Sequence, residues 1–381
     1  MKFTMKSQIA GLATALALGC ASTLAYAEGL PKTFAWTAYG TKSSGYAASV
    51  AIANALAEEG YKLRVLPAKN DISRMTPLRT GKVIASAMGV GSFQAQEGVL
   101  DFGKKPWGPQ KVQMIMMGWG DQNTALPATA ADANIKTAAD LKGKRVAWVH
   151  GAPALNQNME AWLAYGGLTW DDVTKVEVPG WGASVQGIID GQIDAAIGST
   201  NSSMFHQLAS SPRGLFFFPA PPEETENWAR LNKIAPWFTP HVATAGVGLS
   251  ADKPHVGATF GYPILIANES TSEQAIYELT KMMHTKYDAY KDGHSAAAGF
   301  AMDRQVFQWI IPYHAGAVRY FKEIGVWTDE DEAHNQRLMK RQAILAATWE
   351  SVGGNDADYA TWMEARAAAL KAEGFAPVWE K

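Results

Sequence analysis

Asp190-Gly191-Gln192-Ile193-Asp194-Ala195-Ala196-Ile197-Gly198-Ser199-Thr200-Asn201-Ser202 is the stretch that decides the fold. Ile193 to Gly198 is a short run of small and branched apolar residues, bounded by turn formers on both sides. Such a run reads as a buried strand. It ends in four small polar residues, and helical patterns flank it over 182–190 and 203–209. Helix, buried strand, polar turn and helix together make an α/β unit with parallel strands.

The same pattern extends outward in both directions. Towards the N-terminus, 145–149 and 173–178 read as strands, and 156–165 as a helix between them. Further back, strands are predicted over 33–38, 62–68, 83–90 and 112–119. A helix over 46–59 is stopped by Gly60, in keeping with glycine's place just past a helix end. Asp71 reads as the cap of a helix carrying Met75, Leu78 and Arg79. Towards the C-terminus, the pattern predicts a strand over 257–267 and helices over 271–290 and 313–324. From Thr328 onward the chain is largely helical, with Leu338, Ile344, Leu345 and Trp349 on an amphipathic face. That face packs on a lobe of the same chain or on a second copy.

The chain has 381 residues, too many for one ordinary core and suited to two α/β lobes. With 34 Lys plus Arg against 36 Asp plus Glu it carries no global basic field, so nucleic acid is not an expected partner. The first residues read as a secretory signal. Lys2 and Lys6 precede an apolar run from Ile9 to Leu18, and Ala25-Tyr26-Ala27 offers small-x-small cleavage before Glu28. The run is too short to span a bilayer. The single cysteine, Cys20, lies inside this segment. Acylation there, as a lipoprotein, is the alternative to a free periplasmic protein. Cleavage after Ala27 leaves no thiol for disulfides or catalysis.

Several blocks, in order, resemble the TAXI-type solute receptors of tripartite ATP-independent periplasmic (TRAP) transporters. They are Gly45-Tyr46-Ala47-Ala48, Leu78-Arg79-Thr80-Gly81-Lys82, Ala139-Asp140-Leu141-Lys142-Gly143-Lys144-Arg145-Val146, Ala164-Tyr165-Gly166, Asp190 to Ala196, and His314 to Glu323. The resemblance runs from about Phe34 to Val326. It implies a type II periplasmic-binding-protein-like α/β fold, with two lobes joined by crossing strands and a ligand cleft between them. The expected division is a signal peptide over 1–27, lobe I over 28–125 plus 246–327, lobe II over 126–245, and a helical extension over 328–381. The hinge is placed near Leu126 and Ala245. The resemblance further implies a membrane permease as partner, no cofactor, and small carboxylates such as glutamate or 2-oxoglutarate as ligands.

In open α/β sheets ligands sit beyond the carboxyl ends of strands, where helix N-termini offer free N–H groups and partial positive charge. That logic selects Tyr39, Ser43, Ser44 and Gly45 after the first strand, and Gly91 and Ser92 after the third. From the second lobe it selects Pro153, Ala154 and Asn156, then Trp181, then Ser199, Thr200 and Asn201. Each Ser or Asn can equally cap its own helix. The family's Gly-Ser-Gly-Thr-like run is replaced here by His150-Gly151-Ala152-Pro153-Ala154-Leu155-Asn156, which lacks hydroxyl donors and adds Leu155 as apolar lining. Glutamate is therefore not carried over; the expected solute is a carboxylate with a more apolar or bulkier body.

Of the tryptophans at strand ends or loops, Trp36, Trp119 and Trp237 read as packing residues, and Trp181 as either packing or a stacking wall. Tyr262-Pro263 is a further lining candidate. Catalytic chemistry lacks its residues. There is no His-Glu-x-x-His, no Gly-x-Ser-x-Gly elbow and no phosphate loop, so no metal site is expected. His314 reads as structural, and His206 and His241 as surface or loop residues. Asp190 and Asp194 read as capping, solvent-exposed residues rather than an acid/base pair. A receptor of an ABC importer, a periplasmic sensor domain and a secreted enzyme on the same fold are the competing readings.

Overall fold

The computed structural model describes residues 29–380. The segment read as a signal, with Cys20, lies outside the described residues. The first sheet has the order β2-β1-β3-β12-β4. Its strands are β1 (Thr33–Ala38), β2 (Lys62–Pro67), β3 (Ala85–Met88), β4 (Val112–Met117) and β12 (Ile264–Asn268). β3 and β4 are buried throughout, as the largely apolar strands of a covered sheet should be. Helices α1 (Ser44–Glu58), α2 (Asp71–Arg79), α3 (Gly91–Glu97), α8 (Glu273–Thr285) and α11 (Ala315–Glu323) pack against it. The short helices α9 (Tyr287–Tyr290) and α10 (Ser295–Ala298) pack against α1.

The second sheet has the order β7-β6-β8-β5-β9. It is built from β5 (Leu126–Ala130), β6 (Arg145–Val149), β7 (Thr174–Val178), β8 (Ala195–Gly198) and β9 (Leu215–Phe216). Its helices are α4 (Pro153–Tyr165), α5 (Trp181–Ile189), α6 (Ser203–Ala209) and α7 (Thr225–Ile234). A separate antiparallel pair, β10 (Thr239–Ala243) and β11 (His255–Thr259), leads back towards the first sheet.

Neither sheet is purely parallel. β12 runs antiparallel to β3 and β4, and β5 antiparallel to β8 and β9. These two strands receive the chain as it crosses between sheets. Leu126 pairs with Gly198 and Ile264 with Met88, so each enters beside the carboxyl end of the neighbouring strand and must run against it. The crossings are tied together: Tyr262 N–H donates to the Gly118 carbonyl at 2.7 Å, Thr124 N–H to Ala258 at 3.0 Å, and Ala245 N–H to Asp121 at 3.0 Å.

Two long elements predicted from the sequence are divided. The strand expected over 257–267 is β11 and β12, separated by Phe260-Gly261-Tyr262-Pro263, where Pro263 has no N–H for a ladder. The helix expected over 271–290 breaks at Lys286 into α8 and α9. Asp194 is not solvent-exposed. It ends the lead into β8 and is clamped by Arg145 at 2.6 Å and Arg213 at 3.1 Å. His241 lies half-buried in β10 rather than in a loop, whereas His206 is exposed and His314 caps α11 by accepting the Gly316 N–H at 3.2 Å.

The C-terminal extension is a helical hairpin of α12 (Asp329–Ser351) and α13 (Tyr359–Ala372). Leu345, Trp349, Trp362, Met363, Leu370 and Phe375 form a small core with Val99 of the first lobe. Beneath it, buried Glu97 receives Arg341 at 2.7 and 2.8 Å and also pairs with Arg366. No helix among the described residues is long and apolar enough to cross a membrane.

Candidate functional site

The carboxyl ends of β1, β3 and β8 point into one cavity between the two sheets. Counting its open mouth, it holds about 640 Å³, and its walls are mainly apolar. The first lobe contributes Tyr39, Gly40 and Ser43 after β1, Gly89 and Val90 after β3, and Lys69, Asp71 and Arg74 around the start of α2. Phe260 and Tyr262 come from the returning crossing. The second lobe contributes Ala154, Leu155 and Asn158 of α4, Trp181 of α5, and Ile197, Gly198, Ser199 and Ser202 around the end of β8.

A buried ion pair stands in this wall. Asn70, not Asp71, caps α2: Ser73 N–H donates to its Oδ1 at 2.9 Å, and Asn70 N–H donates to Ser73 Oγ at 3.1 Å. This reciprocal box satisfies the helix start and releases the Asp71 carboxylate for other work. Asp71 pairs with Arg74 one turn on and also accepts the Ala154 N–H of the opposite lobe at 3.1 Å. Arg74 lies 3.9 Å from the centre of the Tyr39 ring and donates through Nε to Met88 Sδ at 3.2 Å. Tyr39 and Tyr262 meet at 5.0 Å between centroids. Burial raises the Asp71 carboxyl, against the opposing pull of Arg74 and the Ala154 amide. Burial also lifts the Tyr262 hydroxyl to about 12 and holds Tyr39 well above its ordinary value.

The lobes are clasped on both sides of the cavity. Asn70 Nδ2 donates to the His150 carbonyl at 2.9 Å and Ile72 N–H to Gly151 at 3.2 Å. On the other rim Ser203 Oγ donates to the Lys42 carbonyl at 2.6 Å. The chain is therefore in a closed arrangement.

Of the residues selected from the sequence, Tyr39, Ser43, Ala154, Trp181 and Ser199 line this cavity, together with Tyr262 and Leu155. The others do not. Ser44 is buried in the first turn of α1, and Gly45 lies behind the Tyr39 and Tyr262 rings. Gly91 packs against Asp71 and Met88, while Ser92 donates to the Gly89 carbonyl at 2.6 Å. Pro153 opens α4 and is buried outside the wall. Asn156 is consumed by Val149, accepting its N–H at 2.9 Å and donating to its carbonyl at 3.0 Å. Thr200 bonds to Asn123 and Ala245 of the two crossings, and Asn201 to Gln122 and Ser295. Ser92, Asn156, Thr200 and Asn201 hold the frame of the cleft, because each finds a main-chain or side-chain partner nearer than the cavity. Trp36 and Trp237 are core residues, and Trp119 packs edge-on against Trp309.

Lys69, Asp71, Arg74, Asn158 and Phe260 are among the lining residues that the sequence reading does not select. The sequence alone gives Asp71 to capping, and the adjacent Asn70, an equally good cap, is the signal that Asp71 is free for other work.

Two α/β sheets, strands crossing twice between them and one cavity at the carboxyl ends define a periplasmic-binding-protein-like fold. The chain belongs to the NMT1-like family, whose model matches residues 38–325. Among solved structures it is similar to the alkanesulfonate-binding protein SsuA from Xanthomonas axonopodis pv. citri bound to MOPS. The identity is 15%, over 85% of this chain and 94% of that one, with a TM-score of 0.46. The periplasmic aliphatic sulphonate binding protein SsuA from Escherichia coli matches at 14% identity over 84% and 83%, TM-score 0.43. An ABC transporter periplasmic binding protein from Brucella ovis with glutathione bound matches at 12% over 69% and 70%, TM-score 0.43. The ligands named are those of the similar proteins.

Proposed function

We propose that this chain is an extracytoplasmic solute receptor that closes on one small organic anion and presents it to the membrane subunit of an importer. The observation that carries this reading is the cavity, walled from both sheets and bridged by hydrogen-bonded crossings that can act as a hinge. Leu155, Trp181, Ile197 and Phe260 suit an apolar body, and a carboxylate is the head that helix starts and nearby lysines favour. Catalysis has no part in it. Asp71 and Arg74 satisfy each other, and the two tyrosine hydroxyls stay protonated. The N-terminal signal pattern supports a periplasmic location, and the two sheets support the division into two lobes.

The membrane partner is read as the permease of either an ABC importer or a TRAP transporter. The first fits the type of receptor named for the Brucella ovis neighbour, the second the resemblance carried by the sequence blocks. Uptake reconstituted with each candidate permease separates them: dependence on ATP assigns the former, dependence on an ion gradient the latter.

The receptor reading is tested by thermal-shift screening against a library of organic anions, followed by solution scattering with the best binder. The expected result is a raised melting temperature and a smaller radius of gyration. A saturating solute that leaves the radius unchanged would overturn lobe closure, and a library without a binder would overturn the solute class.

A further inference from the structure

We propose that Asp71 is a specificity-determining residue, a built-in anion that fills the deep polar position of the cleft and so restricts the solute to a monoanion with its apolar end inward. The inference rests on the receptor reading and deepens it. Arg74 is the one buried cation in the cavity wall among the described residues, and its guanidinium is already answered by Asp71. At the start of α4 Pro153 has no N–H, and the first amide, that of Ala154, is given to Asp71 at 3.1 Å. A carboxylate brought by the solute to this depth would meet no free cation and a like charge. Burying an unpaired carboxylate is strongly unfavourable.

The mouth is different. Lys69 lines both the cavity and an adjoining recess walled by Trp181 and Lys42. Lys42 and Lys69 are exposed, and among the described residues neither forms an ion pair. Tyr39, Trp181, Phe260 and Tyr262 line the same cavity, a set of rings suited to a planar or aromatic body. The solute is therefore oriented with its single anionic group at the lysines and its ring against the tyrosines. A dianion with charges at both ends has no place for the inner one.

The test is calorimetric titration of the full chain with phenylacetate and with glutarate, in the wild type, in Asp71→Asn, and in the double variant Asp71→Asn/Arg74→Gln. The wild type is expected to bind phenylacetate at least tenfold more tightly than glutarate. Asp71→Asn frees Arg74 and is expected to improve glutarate binding tenfold or more, and the double variant to lose that gain. Equal or tighter binding of glutarate by the wild type overturns the inference while leaving the receptor reading intact. A folded Asp71→Asn that gains nothing for glutarate also overturns it. If that variant does not fold by circular dichroism, the wild-type preference decides alone. Binding of neither probe by the wild type overturns the inference, and the receptor reading then stands or falls on the anion library and the scattering.

Discussion

Gly45 lies so close beneath Tyr39 that a Cβ built on it would stand 2.5 Å from the ring, and 2.9 Å from the Tyr262 hydroxyl. The first helical turn after β1 thus sets how far both rings reach into the cavity. Gly45→Ala must push one or both outward. Overpacking of this kind costs typically about 1–3 kcal/mol. The expected outcome is a lower melting temperature together with a loss of solute affinity, because the displaced rings enter the space the solute uses. A titration showing wild-type affinity in a destabilised variant would mean the rings relax away from the cavity.

Asp194 gives the second lobe an acid-sensitive clamp. Burial alone would raise its carboxyl, but hydrogen bonds from the Arg145 side chain and backbone and from Arg213 bring it down to about 2, against an ordinary 3.8. A carboxyl depressed in the folded state contributes stability above its unfolded value and loses it as the pH falls through the folded one. That contribution is about 2 kcal/mol at neutral pH by this linkage. Denaturant melts of wild type and Asp194→Asn should differ by roughly that amount at pH 7 and converge as the pH is lowered towards 2. A gap that persists unchanged at low pH would show that the aspartate works by packing instead.

The alternation of strands and helices was readable because its signal is local. Ile193–Gly198 and Val112–Met117 are apolar runs of strand length, and their turns are marked by Gly, Ser and Pro. The antiparallel entries of β5 and β12 were not readable, since their direction depends on where the chain crosses between sheets. The site was legible by position and less so by residue. Turns after β1, β3 and β8 do converge, but whether a Ser, Thr or Asn faces the cavity depends on partners far along the chain. Thr200 answers Ala245, and Asn201 answers Ser295. Asp71 and Asn70 show the same limit, because two adjacent residues could each cap α2, and only tertiary packing against α4 assigns the roles.

Glu97 should govern attachment of the C-terminal hairpin. Its fully buried carboxylate is raised by burial but brought below its ordinary value by the Arg341 hydrogen bond and by the charges of Arg366 and Arg341. Glu97→Gln leaves two buried guanidinium groups with no anion between them, a loss that typically costs about 3–5 kcal/mol. The expected result is faster amide exchange confined to α12 and α13, with the two sheets still protected. Uniform loss of protection would show instead that the hairpin and the first lobe unfold as one unit.

Thr200 offers a way to separate hinge from ligand contact. Its Oγ accepts the Asn123 N–H at 3.2 Å and donates to the Ala245 carbonyl at 2.9 Å, so one hydroxyl joins the end of β8 to both crossings. Thr200→Val keeps the shape and strands a buried donor and acceptor, at a cost of about 1–3 kcal/mol. If the hydroxyl serves the hinge, the solute-free protein melts earlier and its radius of gyration changes, because the balance between open and closed lobes has moved. Affinity then falls only by the extra free energy needed to close. If the hydroxyl instead touches the solute, affinity drops while the solute-free melt and radius remain those of the wild type. Scattering and melting of the variant without solute therefore decide between the two roles before any ligand is identified.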